Sequence, residues 1–124
     1  MSEHNVVVLR GTVVGESTVR ELSSGRVVLQ FDVTTRDDGG TQSVPVAWFD
    51  PPAAGRDLAA GTEVVVIGSV RRRFFRAGGS TQSRTEVVAE RAVAARRGKE
   101  VRRMLDAVSV LLEPATTGPG APSG

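Results

Sequence analysis

"EVVVIGSVRRRFFR", residues 63–76, reads as one long β-strand whose two halves differ in chemistry. The first half is aliphatic and β-branched, which suits a pleated sheet. The second half, Arg71 to Arg76, sets four arginines and two phenylalanines into six positions with no acid among them. A core segment would exclude the arginines, and a merely solvated face has little use for the rings. Rings interleaved with cations suit a single-stranded nucleic acid, whose bases stack and whose phosphates attract positive charge.

Side chains alternate faces along a strand. Phe74 therefore shares a face with Val66, Val70, Arg72 and Arg76, and Phe75 shares the other with Arg71 and Arg73. If the face of Val66 is the core, Phe74 is a packing residue and Phe75 the exposed ring. The competing reading packs both rings and leaves the arginines to solubilise a strand end.

Outward from this strand, valine-rich runs predict four more strands, at about 5–14, 26–36, 43–49 and 83–94. The first continues, bent at Gly15, to Leu22. Ser23-Ser24-Gly25, Asp37-Asp38-Gly39-Gly40 and Gly78-Gly79-Ser80 supply tight turns between them. Pro51-Pro52 blocks extension of the third strand, and 53–60 has room only for a short helix closed by Gly61. An all-β fold with five strands and a short helix between the third and fourth is the order of an OB-fold barrel. On pattern alone a small sandwich stays open.

After Gly98 the period changes. Val101, Met104, Leu105, Val108, Leu111 and Leu112 recur at helical spacing, so 98–113 reads as an amphipathic C-terminal helix. The chain thus divides into a barrel domain, 1–97, the helix, 98–113, and a Pro- and Gly-rich tail, 114–124, expected to be disordered.

The 124 residues carry a formal charge of only +2. The pI nevertheless lies near 10.3, because the cations are almost all arginine. Local clustering, not net charge, is what points to a polyanion. With no cysteine and a single histidine, His4, no zinc or copper site is expected. No Ser–His–Asp set and no phosphate loop can be drawn. A non-enzymatic protein without cofactors is expected. Met1-Ser2-Glu3-His4 has no signal-peptide character, and no apolar run approaches a membrane span, so a cytoplasmic protein is expected.

"NVVVLRGTVVGESTVRELSSGRVVLQFDVTTR", Asn5 to Arg36, resembles the opening of bacterial single-stranded DNA-binding proteins. "VAWF" resembles the end of that family's third strand, "AAGTEVVVIGSVRRRFF" its fourth and "RTEVVAE" its fifth. The resemblance covers about residues 5–92. It implies an OB barrel that binds single-stranded DNA without sequence preference, in replication, repair or recombination, assembled as a homo-oligomer, tetramer or dimer. It carries the family's stacking aromatics onto Phe75 and Trp48, and its strand-four arginines onto Arg71 and Arg73. Arg76 and Arg84 extend the cationic track. Two further stacking positions fall near Gln42 and Asp38, where no ring stands, so a shorter footprint is expected. The end "TTGPGAPSG" has no acid and no Phe, so recruitment of repair enzymes through an acidic tip is not expected. These losses motivate the alternative of a degenerate OB domain kept as a protein-interaction module, docking through its helix.

Trp48 carries its own alternative. A lone Trp in a small barrel also serves as a core residue, and alternation leaves the two faces of its strand undecided: Val44 and Val46 share one with Trp48, while Pro45, Ala47 and Phe49 share the other.

Overall fold

The computed structural model describes residues 3–53 and 58–114. Five strands, β1 (Val7–Glu21), β2 (Val27–Asp37), β3 (Gly40–Phe49), β4 (Glu63–Ala77) and β5 (Ser80–Ala94), close into a barrel in the order β1-β2-β3-β5-β4. One helix, α1 (Gly98–Leu112), follows. This is the OB-type barrel, and closure rules out the open sandwich. All ladders are antiparallel except a three-rung parallel contact of β3 with β5, Val46↔Val87 to Trp48↔Ala89. Pro45, which lacks an amide donor, sits just before that contact, where β3 needs no donor toward β5.

Barrel closure depends on β1 serving two partners. Residues 7–12 pair with β4 and residues 12–21 with β2. The register slips between Val14 and Thr18, where Gly15 holds φ at 71°, a conformation that side chains disfavour. Gly68 has a different reason to be glycine. A β-carbon there would collide with the backbone carbonyl of Val88, at the irregularity where β4 and β5 change register.

The valine run of β4 is apolar on both faces because both are covered. Val64 and Val66 point into the barrel, with Val13, Leu29, Val33 and Val46. Val65 and Ile67 point outward, beneath Val101 and Met104 of α1 and beside Val93. Fully burying each such side chain is worth about 1.5–3 kcal/mol. Met104 is 2% exposed and anchors the helix. Only part of the six-residue apolar stripe is used this way: Val108 packs against the same cluster, while Leu105, Leu111 and Leu112 stay exposed.

The short helix expected between β3 and β4 is not seen. Residues 54–57 of that span lie outside the described residues, and the described remainder carries no α-helix before Gly61, whose φ is 89°. The expected disordered tail also lies outside the described residues from 115 onward. The turns fall where the glycines and aspartates place them; Asp37 Oδ1, for example, accepts from the Gly39 amide at 2.7 Å.

Candidate functional site

β4 and β5 outrun the barrel. β1 leaves β4 at Gly68, and β3 meets β5 only at residues 87–89, while the β4–β5 ladder continues to Ala77↔Ser80. From the Arg72↔Thr85 pair outward every residue of these two strands but Ala77 is exposed, so they form a ribbon that projects beyond the barrel. Asn5 clasps its base: the Asn5 amide group donates to the Val70 carbonyl at 2.8 Å and accepts from its N–H at 2.9 Å.

The register sorts the predicted residues by face. Arg71, Arg73 and Phe75 lie opposite Glu86, Arg84 and Gln82, so Arg71, Arg73, Phe75 and Arg84 share one face. Arg76 does not join them. It lies on the other face, with Arg72 and Phe74. Phe74 itself is 64% exposed, more than Phe75 at 39%. The expectation that Phe74 packs in the core is therefore corrected. Its face is core at Val66, but Val70 is already exposed because the barrel interior has ended.

The face of Phe75 continues inward as a groove of about 760 Å³ across β2, β3 and β5. Val28 pairs with Phe49, Gln30 with Ala47, Ala47 with Val88, and Arg71 with Glu86, which makes one continuous outer surface. Phe49 is half-buried at its far end. The Arg26 guanidinium lies 5.1 Å from the centre of its ring, a cation–π contact, and its Nε donates to Asp50 Oδ2 at 2.8 Å.

Trp48 faces the opposite way. It pairs with Leu29 and Ala89 on the ladder and joins both in the barrel core, at 5% exposure. Trp48 also lines the groove, but at 5% exposure it has almost no surface to offer a base. Alternation did leave these two aromatics undecided, and only the register assigns Phe49 to the groove and Trp48 to the interior.

The groove is cationic but tempered. Among the described residues five arginines and three acids line it. Arg73 is tied to Glu86, with Nε 3.3 Å from Oε1, and Glu86 is 7% exposed. Arg71 and Arg84 make no ion pair with any described residue. No group of three or more described His, Asp or Glu side chains is placed to hold a metal ion. No described helix is long and apolar enough to cross a membrane.

Residues 4–95 match the model of the single-strand binding protein family. The chain belongs to this family. The match takes in all five strands and stops before α1, so the helix is an addition to the family domain. No curated protein matches the chain. Within the family frame, Phe49, Arg26 and Glu86 are the groove residues that sequence reasoning missed. Phe49 carried a signal in its place beside Trp48; Glu86 carried none, since an acid in "RTEVVAE" looks solvated until the ladder places it on the groove floor.

Proposed function

We propose that the protein binds single-stranded DNA without reading its sequence, as a cytoplasmic binding protein of replication, repair or recombination rather than an enzyme. The observation that carries this reading is the single outer surface running from Phe49 to Phe75 with arginines along it. Bases stack on Phe49 and Phe75, and phosphates lie along Arg71, Arg73 and Arg84. Arg76 meets the strand where it leaves this face. Trp48 braces the floor from within instead of stacking. Stacking and phosphate contact accept every base, which is why no sequence preference is expected. Two rings serve a short footprint.

The protein self-associates as well in this reading. Leu105, Leu111 and Leu112 remain exposed on α1, and three large apolar side chains on one short helix favour burial against a second copy.

Titration of labelled oligo-dT at several salt concentrations tests the binding claim. With three or four arginine–phosphate contacts, a log–log slope of roughly −2 to −3 is expected, at about 0.7 per contact on a single strand. Absence of binding, or a flat salt dependence, overturns it.

A further inference from the structure

The back of the β4–β5 ribbon repeats the chemistry of its front. Phe74 stands between Arg72 and Arg76, two residues away on either side, or about 6.7 Å along the strand. The side chains opposite are Thr85, Ser83 and Thr81. No acid lies among these six positions, in contrast to the front, where Glu86 opposes Arg71. Neither Arg72 nor Arg76 makes an ion pair with a described residue.

An aromatic ring at 64% exposure is a cost that packing does not explain here, since no described element covers this face. A wholly apolar patch would suit a protein partner. This ring is instead flanked by two unpaired cations and by small hydroxyl side chains, which suits a ligand with a flat apolar face and an anionic backbone. Arg72 also lines the front groove, so it stands where the two faces meet.

We infer that Phe74, with Arg72 and Arg76, forms a second single-strand binding face, and that one nucleic-acid strand passes from the groove around the ribbon to reach it. This rests on the proposed single-strand binding and extends it to a surface on the opposite side. The ribbon is then gripped by the strand from both sides, and the length of nucleic acid occluded per protein exceeds what the groove alone holds.

The test compares wild type, Phe74→Ala and Phe74→Leu, full length, on two oligo-dT lengths. One is about 6 nucleotides, near the lower end of what one OB fold covers. The other is several times longer. Because the ring is exposed, all three proteins should melt at the same temperature. Phe74→Ala is expected to weaken the long oligonucleotide roughly 5- to 140-fold, the loss of one stacked base. It should also shorten the occluded length, with a smaller effect on the short oligonucleotide. Phe74→Leu should lose as much, because leucine keeps apolar bulk but cannot stack. If wild type binds and Phe74→Ala leaves affinity and occluded length unchanged, this inference alone is overturned. Full affinity in Phe74→Leu, or an oligomer that dissociates in Phe74→Ala with DNA binding intact, assigns the ring to a protein contact and overturns it as well. No binding by wild type overturns the parent reading first.

Discussion

Arg73 reaches diagonally past its own ladder partner, Arg84, to set its Nε 3.3 Å from Glu86 Oε1. Glu86 is the one charged residue buried among those described. A buried carboxylate requires a counter-charge, because water no longer solvates it. The pair therefore stands as a neutral unit on the floor of a groove proposed to bind a polyanion. The Arg73 side chain nevertheless stays 47% exposed. Glu86 thus orients an arginine while subtracting its charge.

Replacing that carboxylate by its neutral isostere should strengthen binding. Glu86→Gln frees the positive charge of Arg73 for phosphate. The expected result is tighter oligo-dT binding at low salt and a salt slope steeper by up to about 0.7, as the Arg73–phosphate contact is no longer offset by the carboxylate. Fluorescence anisotropy across a salt series reads both. An unchanged slope with weaker binding would mean that orientation of Arg73, not its charge, is what Glu86 governs.

Phe49 and Trp48 are neighbours with opposite assignments, and two substitutions separate them. Phe49→Ala should weaken oligo-dT binding by about 1–3 kcal/mol while leaving most stability intact. Trp48→Ala should lower stability by about 3–5 kcal/mol through the cavity it leaves in the barrel. Urea unfolding and DNA titration on both variants check the pair. Equal losses of binding from stably folded proteins would return Trp48 to the ligand surface.

Gly68→Ala places a methyl group against the Val88 carbonyl, which is backbone and has no side chain to move aside. Overpacking of this kind costs about 1–3 kcal/mol or more. A lowered urea midpoint is expected. A stability equal to wild type would show that the β4–β5 irregularity relaxes freely.

Leu105, Leu111 and Leu112 are exposed, so replacing them with serine should not disturb the contact of Met104 with Val65, Ile67 and Val93. Light scattering of the triple variant is expected to report a smaller assembly than wild type at the same melting temperature. Met104→Ala, by contrast, should cost about 2–5 kcal/mol of stability. A wild type that is already monomeric would remove α1 from any role in assembly.

The strands, their turns and the C-terminal helix were legible in the sequence, because each rests on local chemistry: β-branched runs, glycines where φ turns positive, and apolar residues at helical spacing. The bend at Gly15 belongs with these, as do the cationic, aromatic end of β4 and the grouping of Arg71, Arg73 and Phe75 by alternation. What alternation could not supply was the absolute face, the point where the barrel ends, and the partner across each ladder. Those depend on which strand closes on which, and no local signal encodes that. Only the closed β1-β2-β3-β5-β4 order turns Phe49 outward and Trp48 inward, sets buried Glu86 beneath Arg73, and leaves Phe74 bare on a ribbon beyond the core. A side chain's face is set by its own strand; whether that face meets core, groove or water is set by its neighbours in space.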